Sequence, residues 1–287
     1  MEAKPVSKEL VLSAIAPRSP ESHKGTYGKV LALCGCTQYR GAAALSVLGA
    51  LRAGAGLVTL AAPECVCAAV APRVMEATFL PDIPGRAVEA VLADPHAVLL
   101  AGCGKQPTPA VAAEMAWALD TAKGIKVLDA GGLSSLAGPA CQQALAEAAA
   151  SGALIVTPHP GEMARLTGAS VEEIEADRPA AAMEFARDTG AVVVLKGHRT
   201  LTACPDGRIW VNTTGNAGLA RGGSGDVLAG IIAGLAAQGL SAEMAAVCGV
   251  WLHGEAADRC AARLSMQCML PGDILADLAA FFRENGR

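Results

Sequence analysis

A glycine-rich segment in the second half of the chain carries the residues best suited to chemistry. Gly222, Gly223, Ser224 and Gly225 are followed by Asp226, and an apolar helical pattern begins at once. Glycine lets the backbone turn sharply and point its amides toward a guest, and the first turn of a helix adds unpaired N–H groups and a positive dipole end. Residues 222–225 therefore predict an anion hole that binds a phosphate.

Asp226 places a carboxylate where a bound phosphate would repel it. That position is unfavourable for simple binding, but it suits a base that takes a proton from a hydroxyl during phosphoryl transfer. The alternative is a structural role, in which Asp226 caps the helix or complements its dipole. We predict that Asp226 is the catalytic base.

Two further segments combine polar side chains with a turn after an apolar run. Thr157-Pro158-His159-Pro160-Gly161-Glu162 fixes its backbone with two prolines, so that His159 and Glu162 emerge rigidly. We expect Glu162 to hold a hydrated Mg²⁺ through water and His159 to contact the substrate. In the alternative, Glu162 interacts with the helix dipole, and His159 is a structural loop histidine whose ring nitrogens form hydrogen bonds within the protein.

Lys196 begins the second of these segments, which continues through Gly197, His198, Arg199 and Thr200. A lysine beside a glycine can neutralise phosphate charge where the backbone comes close, although the same pattern also fits a solvated turn.

Other polar positions leave the choice between chemistry and structure open. Gly102-Cys103-Gly104 permits close approach of a ligand or forms a tight turn, and Asp129 either lies near magnesium or phosphate or braces a loop. His253, within an apolar helical pattern, is interpreted as structural. Neither a Walker A motif nor a Rossmann Gly-x-Gly-x-x-Gly after the first strand is present.

The elements that must position these residues follow an alternating pattern. Strands are predicted at 30–33, 57–61, 97–101, 126–129, 153–157 and 192–195, and a hairpin at 200–203 and 208–211. Helices are predicted at 41–53, 108–121, 139–150, 226–238, 242–262 and 272–283. Such βαβ alternation indicates an α/β fold with a mainly parallel central sheet, whose ligands collect at the carboxyl ends of the strands.

Composition bounds the function classes. The chain has 287 residues, of which 52% are hydrophobic and 3% aromatic, and its net charge is −4. There is no basic footprint for nucleic acid, no apolar run long enough to span a bilayer, and no apolar signal core at the N-terminus. The ten cysteines show no zinc-site spacing and are interpreted as core residues in a reducing compartment. We expect one cytoplasmic domain, residues 1–287.

Taken together, the motifs resemble one known family. They occur in order at 24–28, 41–43, 129–130, 157–162, 195–197 and 214–226. This set is similar to that of the ADP- or ATP-dependent NAD(P)H-hydrate dehydratases, carbohydrate-kinase-like repair enzymes of the ribokinase superfamily. The glycine-rich element alone indicates the superfamily, whereas the His-Pro-Gly-Glu element at 159–162 is more specific. The resemblance covers nearly the whole chain and implies a three-layer α/β/α sandwich of the ribokinase type.

The resemblance also implies a reaction. The S form of hydrated NADH or NADPH (NADHX or NADPHX) would be phosphorylated on the hydroxyl of its reduced nicotinamide ring, and phosphate would then leave. Bacterial relatives use ADP, which gives AMP and phosphate, and eukaryotic ones use ATP; Mg²⁺ is the expected cofactor. Relatives are often homotetramers, and we expect a homo-oligomer. Few residues precede the first motif, so we expect no fused epimerase domain.

Site residues are carried over only where the motifs match. The hydrate site would be lined by Ala42, Gly104, His159 and Asp226. The nucleotide would be held by Lys196, Gly197, His198, Arg199, Thr200 and Gly225. The chain departs mildly from the family pattern at Ser224, Arg221 and 212–214, which leaves hydroxyl and charge in place and puts fine nucleotide preference in question.

Two other functions fit part of the pattern. A kinase of the same superfamily that acts on hydroxymethylpyrimidine, hydroxyethylthiazole or pyridoxal would share the glycine-rich element and Asp226, but would not require His-Pro-Gly-Glu. A nucleotide sensor would bind ADP without turnover, and it would have no need of a base at Asp226.

Overall fold

Ten β-strands in the described part of the chain form a single sheet. A computed structural model of the protein describes residues 3–81, 83–138 and 141–287. In chain order the strands are β1 Lys4–Pro5, β2 Lys29–Leu33, β3 Leu57–Ala61, β4 Thr78–Leu80, β5 Ala97–Ala101, β6 Lys126–Leu128, β7 Leu154–Val156, β8 Val192–Leu195, β9 Leu201–Ala203 and β10 Ile209–Val211. Their order across the sheet is β1-β10-β9-β8-β7-β6-β5-β2-β3-β4.

Helices connect and cover these strands. The α-helices are α1 Lys8–Ala14, α2 Arg40–Ala53, α3 Glu64–Val70, α4 Arg86–Leu92, α5 Pro109–Thr121, α6 Ala130–Ser135, α7 Cys141–Ala150, α8 Pro160–Thr167, α9 Val171–Ala176, α10 Arg178–Thr189, α11 Ser224–Ala237, α12 Ala242–Leu264 and α13 Ile274–Glu284. Short 3₁₀ turns lie at Lys24–Tyr27 and Ala217–Leu219. Every described helix is too short or too polar to cross a bilayer.

The sheet is parallel from β8 across to β4, and β9 is antiparallel to both of its neighbours. Alternate residues of each central strand enter opposite cores, as the strand period requires. In β2, Val30 and Ala32 belong to one core with α2, α11 and α12, whereas Leu31 and Leu33 belong to the other with α5, α7 and α10. The expected α/β fold with a mainly parallel sheet between two helical layers is confirmed.

Element boundaries agree closely with the pattern where a segment is long and apolar. The strands at 57–61, 97–101 and 192–195 match to the residue. The short elements β1, β4, α1, α3, α4 and α6 were not predicted, because few residues in each give little periodicity to detect. The helix predicted at 139–150 is observed as Cys141–Ala150, and residues 139 and 140 lie outside the described residues.

The cysteines only partly follow the sequence interpretation. Nine are free, and the side chain of the tenth, Cys141, lies outside the described residues. Six of the nine are buried, but Cys65 and Cys268 are exposed and Cys36 is half-buried. The interpretation of all ten as core residues is therefore wrong for these three.

Helices α2 and α11 pack with their backbones almost touching, and this contact positions the glycine-rich turn. A Cβ on Gly230 of α11 would lie 2.2 Å from the carbonyl oxygen of Ser46, and a Cβ on Gly49 of α2 would lie 2.7 Å from that of Val227. Only glycine permits this separation. The N-terminus of α11 is thereby fixed against the helix that carries Ala42.

We expect Gly230→Ala to lower the free energy of unfolding by about 1–3 kcal/mol, because the new methyl group must push two backbones apart. Gly272→Ala is the matched control, since its Cβ would make only an ordinary contact of 3.8 Å with Leu45. Urea unfolding of both variants measures the difference. Equal losses would contradict the close-packing explanation.

Candidate active site

The predicted site residues meet at the carboxyl ends of β6, β7 and β8, beside the first turn of α11. Asp129, Thr157 and Lys196 each follow the last residue of their strand. Because these three strands are parallel neighbours, their ends lie side by side at one edge of the sheet.

Asp129 is the centre of the polar network. It is only 1% exposed, and its Oδ1 accepts hydrogen bonds from Thr157 Oγ1 at 2.6 Å and from Lys196 Nζ at 2.7 Å. The Cys103 thiol donates to Oδ2 at 3.6 Å. Asp129 therefore braces the ends of four strands, as the loop-bracing alternative proposed, and it also brings a buried negative charge into the site.

Lys196 is held by two carboxylates. Its Nζ lies 2.7 Å from Asp129 Oδ1 and 3.6 Å from Glu162 Oε2, and its side chain is 18% exposed. Burial alone would lower the pKa of Lys196, but the carboxylates of Asp129 and Glu162 together outweigh burial and raise that pKa. Lys196 thus stays cationic in a largely buried position.

His159 and Glu162 form a reciprocal cap at the start of α8. His159 Nδ1 accepts hydrogen bonds from the amides of Gly161 at 3.0 Å and Glu162 at 3.3 Å, and Glu162 Oε2 accepts one from the His159 amide at 2.8 Å. Burial lowers the pKa of His159, partly opposed by Glu162. A ring whose Nδ1 accepts is neutral and carries its proton on Nε2, which lies on a half-exposed side chain 3.5 Å from Glu162 Oε1.

Asp226 lies in the first turn of α11 but does not cap that helix. The N-cap residue is Gly223, and no side-chain cap hydrogen bond is present. Burial first, and then the charge of Asp129, raise the pKa of Asp226 to about 7, although Lys196 opposes the shift. Asp226 therefore makes no cap hydrogen bond, whereas its place in the first turn is compatible with the dipole alternative. The carboxyl group has the proton affinity of a base poised near neutral pH.

The glycine-rich turn leaves backbone amides without internal acceptors. Ser224 N–H donates to Arg221 O at 3.3 Å, whereas the amides of Gly222, Gly223 and Gly225 have no acceptor among the described residues. Gly223 adopts φ +100°, which favours glycine. A Cβ on Gly225 would lie 3.4 Å from Lys196 Nζ, so the open amides adjoin the lysine.

Gly104 lies against the start of α2. Gly104 has φ +66°, and a Cβ there would lie 2.6 Å from Ala42 Cβ and 2.8 Å from Tyr39 O. The two residues predicted to contact the hydrate are therefore in direct contact with each other.

Arg178 of α10 holds the turn at Lys196–Thr200 through hydrogen bonds to backbone carbonyls. Arg178 donates to His198 O at 2.7 Å and to Leu195 O at 3.1 Å, and Arg199 is in the left-handed region at φ +56°. His198 and Arg199 are exposed, so this turn presents polar side chains and backbone at the edge of the site.

Helix α12 holds the loop that leads into the glycine-rich turn. Asp258 accepts hydrogen bonds from the Gly215 amide at 2.8 Å and from Asn216 Nδ2 at 2.9 Å. His253 is buried, and burial lowers its pKa to about 4, so the ring is neutral. Its Nε2 and Ser224 Oγ have no hydrogen-bond partner within the described ranges.

Three residues of this arrangement are not predicted as site residues by the sequence analysis. Cys103 had been noted only within a turn, yet its thiol lies beside Asp129 and Asp226, with the three side chains within 4.8 Å of one another. Contact with Cys34 first, and then burial, raise the pKa of the Cys103 thiol well above its usual range. Arg178 and Asp258 gave no sequence signal, because each acts on a segment distant in the chain.

The donor set fits a hydrated Mg²⁺ better than a thiophilic metal. Asp129, Glu162 and Asp226 supply carboxylate oxygens, which Mg²⁺ prefers, whereas Cys103 stays protonated. Three carboxyl groups face one lysine, so a divalent cation would balance the local charge. Glu162 Oε1 accepts no hydrogen bond from the described part of the protein and can accept one from a metal-bound water.

Comparison with known proteins agrees with this geometry. A family model described as NAD(P)H-hydrate dehydratase matches residues 30–279. The ADP-dependent (S)-NAD(P)H-hydrate dehydratase of Bacillus subtilis is 38% identical over 252 residues, which cover 88% of each chain. A bifunctional NAD(P)H-hydrate repair enzyme of Moorella thermoacetica is 41% identical over 281 residues, and the chain spans about half (52%) of that relative's length.

Solved structures show the same relationship. The crystal structure of the ADP/ATP-dependent NAD(P)H-hydrate dehydratase of Bacillus subtilis, co-crystallised with ATP and Mg²⁺, superposes with a TM-score of 0.86 at 32% identity over 99% of both chains. A hydroxyethylthiazole kinase of Pyrococcus horikoshii superposes with a TM-score of 0.61 at 16% identity, covering 96% of this chain and 92% of that one. The second likeness concerns the fold alone.

We expect Asp226→Asn to stabilise the protein at pH 8, because a carboxyl group with a raised pKa destabilises the folded state when it is ionised. Since the folded pKa is about 7 and the ordinary value is 3.8, the gain is full above pH 7 and disappears as the pH falls toward 4. Its size is on the order of 4 kcal/mol. Urea unfolding across this pH range measures it.

Asp188→Asn is the control, since Asp188 is exposed on α10. Its difference from the unaltered protein should stay small at every pH. A gain for Asp226→Asn that did not vary with pH would contradict the raised pKa.

Proposed function

Because the chain belongs to the NAD(P)H-hydrate dehydratase family, we propose that it catalyses the nucleotide-dependent dehydration of (S)-NADHX and (S)-NADPHX to NADH and NADPH. ADP is the proposed phosphoryl donor and yields AMP and phosphate. The use of ADP is supported by two relatives, the ADP-dependent (S)-NAD(P)H-hydrate dehydratases of Bacillus subtilis and Neisseria meningitidis. The observation that carries the proposal is a carboxyl group of pKa about 7, Asp226, beside the open amides of the glycine-rich turn.

In the first step, Asp226 removes the proton from the ring hydroxyl of the hydrate. That oxygen attacks the terminal phosphorus of ADP, the bond to the bridging oxygen breaks, and AMP leaves. Amides of Gly222, Gly223 and Gly225 stabilise the charge on the transferring phosphoryl group, and Lys196 neutralises the donor's phosphates. The turn at Lys196–Thr200 holds the nucleotide.

In the second step, the phosphorylated hydrate eliminates phosphate. The electron pair of the ring nitrogen forms a C=N bond while the C–O bond breaks and phosphate leaves. Loss of a proton from the adjacent ring carbon then forms the double bond of the reduced nicotinamide. Ala42, Gly104 and His159 line the ring, and the neutral His159 donates through Nε2. The sum is hydrate plus ADP giving reduced dinucleotide, AMP, phosphate and a proton.

Mg²⁺ is the proposed cofactor, held through water by Glu162, and when bound it neutralises charge on the phosphates. The Bacillus subtilis relative was co-crystallised with ATP and Mg²⁺, which supports this assignment. The hydrogen-bonded ion pair with Asp129 keeps Lys196 in position. The vitamin-precursor kinase and sensor alternatives are not favoured, since the dehydratase matches are far closer in sequence than the kinase likenesses.

The experiment that tests the function follows absorbance at the reduced-nicotinamide band after mixing protein, Mg²⁺ and enzymatically prepared NADHX with ADP or ATP. We expect absorbance to recover with a nucleotide, with one AMP and one phosphate formed for each NADH when ADP is the donor. Asp226→Asn should lower kcat about 10²–10⁴-fold, the usual contribution of a positioned base. Asp188→Asn, a matched change far from the site, should keep full activity.

A stable phosphoester in place of NADH would instead identify a kinase. Folded protein that binds ADP without consuming NADHX would support the sensor.

The pH dependence provides a separate test of Asp226. As a base it must be ionised, so kcat/KM should fall about tenfold per pH unit below pH 7 and level off above it, because the pKa of Asp226 is about 7. Initial rates with the S form of NADHX between pH 5.5 and pH 9, with folding checked at each pH, measure the profile. A profile without an acid limb near pH 7 would exclude Asp226 as the base.

A further inference from the structure

A groove between α2 and the end of α3 lies next to the site but has no part in the chemistry above. Its volume is about 610 Å³. The floor is apolar and includes Ala44, Leu45, Leu48 and Val70, while Arg40 and Arg73 stand at its rim. That volume is within the usual range of small-molecule sites.

The groove lies next to Ala42 and the glycine-rich turn. Gly41 borders the groove and is followed by Ala42, which contacts Gly104. At its other side, Leu45 forms the groove wall and also packs on the glycine-rich turn, where a Cβ on Gly223 would lie 2.7 Å from Leu45 Cδ1. The groove and the glycine-rich turn therefore share a contact through Leu45.

Two guanidinium groups stand at the rim of the groove. Both arginines are exposed, and within the described ranges neither forms an ion pair with a carboxylate. Arg40 uses only Nε, which donates to Thr37 O at 3.0 Å. Two such guanidinium groups, in a chain of net charge −4, suit a phosphate ester, which they can bind through paired N–H donors.

The start of α2 adds to this polarity. Its N-cap residue, Tyr39, provides no side-chain cap hydrogen bond, so the first amides of a 14-residue helix remain open beside Arg40. The positive end of the helix dipole and the two arginines favour the same kind of ligand.

We propose that this groove binds the adenosine half of the hydrated dinucleotide, with Arg40 and Arg73 contacting its pyrophosphate and, in NADPHX, its 2′-phosphate. The assignment rests on the proposed function and deepens it: the apolar floor accepts the adenosine, and the rim selects NADPHX over NADHX. Arg40 and Arg73 are specificity-determining residues that do not touch the reacting atoms.

The test compares KM for (S)-NADPHX, (S)-NADHX and ADP in the unaltered protein and in the Arg40→Gln/Arg73→Gln double variant. We expect KM for NADPHX to rise at least tenfold, KM for NADHX to rise less, and both kcat and KM for ADP to stay unchanged. Arg52→Gln is the matched control, since Arg52 is exposed at the opposite end of α2. It should change none of these values.

Each other outcome overturns the assignment. A rise in KM for ADP alone would mean that the arginines serve the phosphoryl donor. Unchanged KM values would mean that the arginines bind no ligand. If the double variant also sediments differently from the unaltered protein, a second copy of the chain covers the groove. Absence of turnover with either hydrate in the unaltered protein would overturn the proposed function, and the occupant with it, whereas turnover with an unaffected double variant overturns the groove alone.

Discussion

The buried ion pair between Asp129 and Lys196 is the interaction on which the site depends. One Asp129 oxygen holds both the lysine at the end of β8 and Thr157 at the end of β7, so three parallel strand ends are fixed relative to one another. The same negative charge faces Asp226 and helps to raise its pKa to about 7. A single carboxylate therefore keeps Lys196 cationic and adds to the effect of burial on the pKa of Asp226.

The second constraint is the backbone contact between α2 and α11. Gly49 and Gly230 let these helices approach so closely that the glycine-rich turn and Ala42 keep a fixed separation. The same packing brings Leu45, which lines the α2–α3 groove, against Gly223 of the glycine-rich turn.

Much of the fold could be predicted from the sequence because its central strands are continuous apolar runs. Residues 97–101 and 192–195 are buried on both faces, and burial of that kind leaves a strong local pattern. The edge strand Thr78–Leu80 and the short helix Glu64–Val70 left no comparable pattern. Their existence depends on what packs against them, and periodicity within a few residues does not record that.

For the site, the sequence by itself determined the candidates, since glycines before an aspartate, and a lysine after a strand, have local physical meaning. Only the tertiary structure decided their electrostatic state. The raised pKa of Asp226 depends on burial and on Asp129, which lies 97 positions earlier in the chain. Cys103, Arg178 and Asp258 entered the site because electrostatic and hydrogen-bond energies depend on distance in space, which sequence separation does not give.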